Sequence, residues 1–326
     1  EIASCLVGSE MCIRDRNRIM ITPKVFDAVV DTHCVIFQKN CILPKCFIFI
    51  FDKGRHVYLH SIQRERIKSQ DGRSINIIYD DAQMAIIDKI FSNSQPFITY
   101  FNVYNGVKPF EKGKGIPPQT SEIMKSKPYV CEGAKPDNSW TPLLRGSLIQ
   151  KYKVTWSENY WIQYGRWLAA PRQPEIFEYP NKIVIRQTGD AIIATIIDNK
   201  FICRNNLHIC IPRNGKIELM YILGLLNSKL MDFIYTYINP EKGEVLAEVK
   251  KNHVESLPII YDNIRKPILL DLVNHILTER VKDSNTTELE NRIDNIVFHI
   301  YGLTYDEVLI VDPQTPITRE EYEKHE

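Results

Sequence analysis

Long apolar runs are missing from this sequence, although 44% of its 326 residues are hydrophobic. A membrane-spanning helix needs about 18 or more consecutive apolar residues, whereas the run CFIFIF at 46–51 is far shorter and predicts a buried strand. The first residues also lack the sustained apolar region of a signal peptide. We therefore expect no membrane partner, and the length predicts about two domains.

Metal-ligand spacings are missing as well. The eight cysteines are scattered, none forms a C-x-x-C pair, and no Cys/His spacing suits zinc. Several, such as Cys34 and Cys203, lie in apolar runs, as buried reduced thiols do. Reduced thiols are typical of the cytoplasm, so we expect a cytoplasmic protein without a metal site.

Catalytic signatures are absent or incomplete. The sequence has no G-x-S-x-G and no glycine-rich phosphate loop ending in Lys-Ser/Thr. GIPPQ at 115–119 differs from the Asp/Asn-Pro-Pro-aromatic motif of amino-group methyltransferases, because Ile116 replaces the polar residue and Gln119 the aromatic one. Glu248 and Lys250 match half of a nuclease pattern that needs a further carboxylate. We predict no catalytic residue.

Positive charge is concentrated in the middle of the chain, although the whole chain carries only +1. Residues 145–216 contain eleven basic and five acidic residues, a balance of +6, and the tail after Glu279 is acidic. All four tryptophans fall within 140–167. Cations and planar side chains together favour a surface that binds nucleic acid. A solvated surface over an aromatic core is the alternative.

Hydrophobic patterning predicts a mixture of strands and helices. Strands are predicted at the segments VFDAVVDTHCVIFQK, KCFIFIFDK, RHVYLHSI, KIVIRQ, AIIATII and LHICIP. Helices are predicted at DDAQMAIIDKIFSNS, at IELMYILGLLNSKLMDFIYTYI as one continuous helix, and at two amphipathic segments after residue 263. The fold class is therefore α+β.

Several segments in one order carry a family resemblance. They are GVKPFEKGKGIPPQT, PLLRGSLIQKYKVTW, YGRWLAAPRQPEIFEYPNKIVIRQTGD, LHICIP, YILGLLNSKLMDFIYTY and VKKNHVESLPI, with KVFDAVVDTHCVIFQK before them and RIDNIVFHIYGLTYDEVLIV after. Together they resemble the C-terminal, TaqI-like specificity part of Eco57I-like adenine-specific DNA methyltransferases, which occur in type II and type IIG restriction–modification systems. The resemblance covers roughly residues 20–312.

The resemblance implies a division of the chain. Residues 17–100 would be the end strands of an α/β methyltransferase sheet, 101–262 a mixed α/β target-recognition domain, and 263–326 a helical segment. Residues 1–16 are predicted to be non-native or disordered. The parent enzyme would bind double-stranded DNA and transfer a methyl group from S-adenosylmethionine to adenine N6. Because the cofactor and catalytic motifs are expected in an upstream catalytic domain, the fragment itself is expected to be inactive.

The same resemblance assigns candidate DNA contacts. They are Arg145, Lys151, Lys153, Arg166, Arg172, Arg186, Gln187, Arg204, Asn206 and Lys229. The first three are predicted to contact phosphates, whereas Arg166, Arg172, Arg186 and Asn206 are candidates for base edges or groove phosphates. Two other functions stay open, which are a separate non-catalytic specificity subunit and an aromatic module that binds glycans.

Overall fold

A computed structural model describes residues 16–22, 32–37, 43–63, 77–215, 217–239 and 247–324. The chain forms two compact units, residues 1–88 and 89–326. The segment predicted to be non-native lies outside the described residues except at Arg16, which begins the first strand. The finer division at residues 100 and 262 stays a prediction.

The first unit contains a four-stranded mixed sheet with the order β2-β1-β3-β4. Its strands are β1 (Arg16–Thr22), β2 (Thr32–Phe37), β3 (Lys45–Asp52) and β4 (Arg55–Gln63). β1 runs parallel to β3, and the other neighbours are antiparallel. Lys53 and Gly54 both have positive φ, which is the two-residue turn that matches the twist of a hairpin. Strands β3 and β4 confirm the strands predicted at KCFIFIFDK and RHVYLHSI.

The second unit begins near helix α1 (Asp81–Ser92) and is built around two sheets. The first contains β6 (Phe101–Asn105), β12 (Asn181–Arg186), β13 (Ala194–Asp198) and β15 (Leu207–Pro212), in the antiparallel order β13-β12-β15-β6. Strands β12, β13 and β15 confirm the predicted strands KIVIRQ, AIIATII and LHICIP, whereas β6 was not predicted. Strand β5 (Gln95–Pro96) pairs separately with β16 (Pro258–Ile259).

The second sheet has the order β14-β8-β11-β7. It consists of β7 (Val130–Glu132), β8 (Thr141–Leu144), β11 (Tyr160–Ile162) and β14 (Ile202–Cys203). The hairpin of β9 (Ile149–Gln150) with β10 (Lys153–Val154) packs against β13 of the first sheet. The short helices α2 (Ser121–Ser126) and α3 (Glu175–Glu178) flank these strands in sequence. One buried apolar cluster contains Leu143 and Ile162 of this sheet with Val184 and Ile209 of the first. The two sheets therefore share a core.

The remaining helices follow in sequence. They are α4 (Leu219–Asn227), α5 (Lys229–Ile238), α6 (Lys251–Glu255), α7 (Lys266–Val281), α8 (Thr287–Ile300), α9 (Tyr305–Val311) and α10 (Arg319–Glu323). Gly224 of α4 lies so close to α7 that a Cβ would come within 2.9 Å of Leu269 and 3.0 Å of Val273. Among the described residues, no helix is long and apolar enough to cross a membrane.

The prediction of one continuous helix at 217–238 is wrong, because the helix breaks at Ser228. Ser228 has extended backbone angles, and its hydroxyl accepts a hydrogen bond from the Met231 N–H. The same hydroxyl donates to the Leu225 carbonyl at 2.8 Å. Serine thus ends α4 and caps the first turn of α5, as serine does at helix N-termini.

A close backbone crossing fixes the geometry beside the second sheet. Gly106 passes the carbonyl groups of Cys203 and Arg204 so closely that a Cβ at position 106 would overlap both oxygens. The Val107 N–H donates to the Cys203 carbonyl at 2.8 Å, and the Asn205 N–H donates to the Val107 carbonyl at 2.8 Å. Only glycine fits this crossing without displacing the backbone.

The variant Gly106→Ala should therefore be less stable than the unaltered chain by about 2 kcal/mol or more, since overpacking against backbone cannot relax through a side-chain rotation. Urea or thermal denaturation measures the change. Gly215→Ala is the matched control, because nothing lies within 4 Å of a Cβ there. Equal stability of the two variants would contradict the crossing.

Candidate functional site

The ten predicted contact residues fall into two groups and one outlier. Arg145, Arg172, Arg186 and Arg204, with Gln187 and Asn206, are joined by shared contacts, and we call them the arginine group. Lys151, Lys153 and Lys229 pair with acidic residues of the helical part, and we call them the lysine group. Arg166 lies on the loop that carries Trp167 and is exposed.

One tyrosine ring positions two guanidinium groups. The Arg145 guanidinium lies over the Tyr160 ring, 4.4 Å from its centroid. The Tyr160 hydroxyl accepts a hydrogen bond from Arg204 Nη1 at 2.8 Å. Arg145 also donates to the exposed Glu132 carboxylate at 2.9 Å. Tyr160 was not predicted as a site residue, because an aromatic residue in a short apolar strand is typical of a core position.

Arg186 and Asn206 lie against the turn that follows Arg145. The Gly146 N–H donates to Asn206 Oδ1 at 3.1 Å, and a Cβ at Gly146 would lie 3.0 Å from Arg186 Cγ. Arg186 Nε donates to the Thr188 carbonyl at 2.8 Å. The absence of a side chain at position 146 therefore lets the Arg186 side chain pack against Gly146, the residue that follows Arg145.

Gln187 is held by its backbone. Its N–H donates to the Asn206 carbonyl at 3.0 Å, and its carbonyl accepts from the Val249 N–H at 2.7 Å. Its side-chain amide makes no hydrogen bond with the described part of the chain. A fixed backbone with a free amide is suited to a bidentate contact with a base edge.

Arg172 joins the group through Gly106. Arg172 has φ of 64°, its Nε donates to the Gly106 carbonyl at 3.1 Å, and its own carbonyl accepts from the Tyr164 hydroxyl at 3.2 Å. The rest of its exposed guanidinium has no hydrogen bond or ion pair with the residues that the structure describes. Because Gly106 also contacts the Arg204 carbonyl, Arg172 and Arg204 lie on one backbone crossing. Two Nη groups remain available for a bidentate acceptor.

The lysine group is paired with acidic residues in or after helices of the C-terminal part. Lys151 donates to the Asp232 carboxylate and to the Asn227 carbonyl, both at 2.9 Å. The other two pairs are Lys153 with Asp283 and, at 2.6 Å, Lys229 with Asp312. Their predicted contact with phosphates stays a prediction. The structure gives each of these ammonium groups an internal carboxylate partner.

A cavity of about 270 Å³ lies beside this group. Among its lining residues are Lys151, Lys229, Asp232, Glu290 and Asp294. Burial raises the pKa of Asp294 to about 7, against the opposing effects of a hydrogen bond from the Lys229 N–H at 2.8 Å and the nearby ammonium groups. The Asp294 carboxyl therefore takes up its proton close to neutral pH.

The polar residues of the two incomplete catalytic patterns, GIPPQ and Glu248-x-Lys250, make contacts inside the fold. Buried Gln119, from the GIPPQ pattern, donates to the carbonyls of Pro109 and Trp167, both at 2.8 Å. The Glu248 carbonyl accepts from the Tyr235 hydroxyl at 3.3 Å. Within the described ranges, no cluster of three or more His, Cys, Asp or Glu residues is arranged to hold a metal ion.

Three of the four tryptophan indoles are used inside the fold. Trp156 donates to the Tyr160 carbonyl at 2.9 Å and packs edge-on against Trp161, with centroids 5.1 Å apart. Trp161 is buried and donates to the Gly133 carbonyl, and Trp167 donates to the Gln163 carbonyl, both at 3.0 Å. Trp156 and Trp167 are partly buried and pack against the core that the two sheets share.

Replacing Asp294 by Asn should change the pH dependence of stability. A carboxyl whose pKa is raised by folding binds its proton more tightly in the folded chain, so its stabilising contribution is lost as pH rises from about 4 towards 7. Asn removes this titration and keeps an oxygen for the Lys229 N–H. We expect the Tm of Asp294→Asn, relative to the unaltered chain, to increase between about pH 5 and about pH 8. A difference that does not vary with pH would contradict the assignment.

Known proteins resemble this chain in sequence and fold. Residues 141–259 match the TaqI-like C-terminal specificity domain. A protein of Methanocaldococcus jannaschii, named as a type II restriction enzyme and methyltransferase, is 23% identical over 227 residues, which are 66% of this chain and 18% of that protein. The solved structure of the type IIL restriction-modification enzyme MmeI in complex with DNA matches with a TM-score of 0.53 and 14% identity. That match covers 95% of this chain and 46% of MmeI, so the chain spans less than half of either relative.

Proposed function

Because residues 141–259 match the TaqI-like C-terminal specificity domain and the chain is similar to a type II restriction enzyme and methyltransferase, we propose that this chain recognises a specific sequence in double-stranded DNA. The observation that carries the proposal is the arginine group. Tyr160 and Gly106 hold Arg145, Arg204 and Arg172 in fixed positions, and Arg172 keeps free donors on the surface. Fixed guanidinium groups are suited to guanine edges and phosphates.

We further propose separate roles for the two groups. The arginine group, which includes Gln187, supplies most of the DNA affinity and the sequence selectivity. The lysine group contributes less to DNA affinity, because each ammonium is already paired with a carboxylate. Arg166, which is exposed and makes no side-chain hydrogen bond within the described residues, is assigned to phosphate.

The activity of the longer parent is also a proposal. We infer that it methylates adenine N6 with S-adenosylmethionine in the cytoplasm, with an upstream catalytic domain supplying the cofactor site. The sequence has no glycine-rich strand–loop–helix pattern for that cofactor, so no step of methyl transfer is assigned to its residues. The alternative is a separate specificity subunit without a catalytic domain of its own. Finding an adenine methyltransferase core in the upstream reading frame would favour the fused enzyme over that subunit.

Selection from a random duplex library tests DNA recognition. The full chain should enrich one short motif, and its affinity for the selected duplex should fall steeply as salt rises, because each neutralised phosphate releases counterions. Fluorescence anisotropy at several salt concentrations measures the slope. Failure to enrich any motif, or an affinity that does not depend on salt, would overturn the proposal.

Arg172 is expected to contact a base edge. Arg172→Ala should weaken binding to the selected duplex by about 1–3 kcal/mol and relax selectivity at one position. Arg172→Lys is the matched variant, since it keeps the charge and loses the planar pair of donors. We expect Arg172→Lys to lose selectivity as well. If it retains full selectivity, or if Arg172→Ala weakens binding equally on all sequences, Arg172 contacts phosphate instead.

A further inference from the structure

We propose that the loop 110–119 is a second DNA-contacting element, in which Ile116 presses against a base step as an apolar wedge while flanking cations hold the adjacent phosphates. This inference rests on the proposed DNA recognition. The loop lies outside the segment that matches the specificity domain.

The loop is closed by its own hydrogen bonds. The Gly113 N–H donates to the Gln119 carbonyl at 2.9 Å, and the Gln119 N–H donates to the Lys114 carbonyl at 2.8 Å. The Gln119 side chain accepts from the Glu111 N–H at 2.9 Å and donates to the carbonyls of Pro109 and Trp167. The buried side-chain amide of Gln119 therefore holds the two ends of the loop together and ties them to Trp167 on the neighbouring segment.

The tip of the loop is fixed as firmly. Gly115 has φ of 87°, and a Cβ there would overlap the Trp167 carbonyl oxygen. The Ile116 N–H donates to the Arg166 carbonyl at 2.9 Å. The side chain of Ile116 nevertheless stays 61% exposed. A rigid backbone thus presents an apolar side chain to the surroundings.

A single exposed isoleucine is common on protein surfaces, and the charges around this one distinguish it. Lys112 and Lys114 of the loop are exposed, and so is Arg166 beside the tip. The nearby carboxylate, Glu111, is paired with Lys108 at 2.7 Å. Within the described part of the chain, no ion pair engages these three cations. Apolar side chains flanked by cations are typical of proteins that insert a wedge between base steps.

A backbone ribbon connects the loop to the arginine group. The N–H of Lys108 donates to the Ala170 carbonyl at 3.0 Å, and the N–H of Ala170 donates back at 2.9 Å. One end of this ribbon is Gly106, where Arg172 is bound, and the other end leads into the loop.

The test uses the full chain and the duplex enriched by selection, with 2-aminopurine placed at successive steps. Binding of the unaltered chain should raise the fluorescence at one step, because unstacking relieves quenching. Ile116→Ala should abolish this rise and weaken binding about three- to tenfold, whereas Ile116→Leu should preserve both. Ile264→Ala is the matched control, since Ile264 is 83% exposed and lies outside the loop.

A second variant tests the flanking cations. Lys112→Ala with Lys114→Ala should reduce the slope of log affinity against log salt by about 2, because each phosphate contact contributes about 0.9. The double variant Lys282→Ala with Lys324→Ala, which removes two exposed lysines from elsewhere, should leave the slope unchanged. Motif enrichment by the unaltered chain, together with unchanged fluorescence and affinity for Ile116→Ala, would overturn the wedge and leave DNA recognition standing. Failure of the unaltered chain to select any duplex would overturn both.

Discussion

The crossing of Gly106 over residues 203–204 is the contact on which the candidate interface depends. It joins the end of β6 to the end of β14, and the two sheets share the core beneath it. Arg172 is bound to the Gly106 carbonyl, and the Arg204 side chain extends from the same crossing to Tyr160. A backbone contact without side chains cannot change by a rotamer flip. The fold itself therefore sets the Gly106 carbonyl that accepts from Arg172 and the backbone from which Arg204 reaches Tyr160.

Lysine and arginine have different uses in this molecule for a physical reason. An ammonium is a compact charge that one carboxylate neutralises, as in the pair of Lys151 with Asp232. A planar guanidinium can bond through one edge and leave the other free, as Arg172 does at Gly106. Buried Lys182 is also unavailable to a partner, because its ammonium donates to the backbone carbonyls of residues 177, 179 and 198. A count of basic residues therefore overstates the charge available to a partner.

Local pattern was enough to predict strands β12, β13 and β15 and the longer helices, because apolar runs and their periodicity are local properties. Strand β6 and the short helices were not predicted. The break at Ser228 was missed because apolar residues continue on both sides of it, and the bond from the Lys229 N–H goes to Asp294, 65 residues away. The division of the cations into two groups was missed for the same reason, since Lys151 and Lys153 are paired 81 and 130 residues along the chain. Contacts with residues distant in the sequence therefore determine both the helix break and the pairing of the lysines.

The GIPPQ segment shows how a change of polarity changes what a loop can do. A polar side chain at position 116 and an aromatic one at 119 would resemble a site that accepts hydrogen bonds from an amine and stacks on a base. Here the polar side chain, Gln119, is turned inwards and satisfied by backbone groups, while Ile116 is turned outwards. An outward isoleucine cannot accept a hydrogen bond from an amine, but it can fill an apolar gap. The loop is thus suited to docking against a partner and unsuited to chemistry on it.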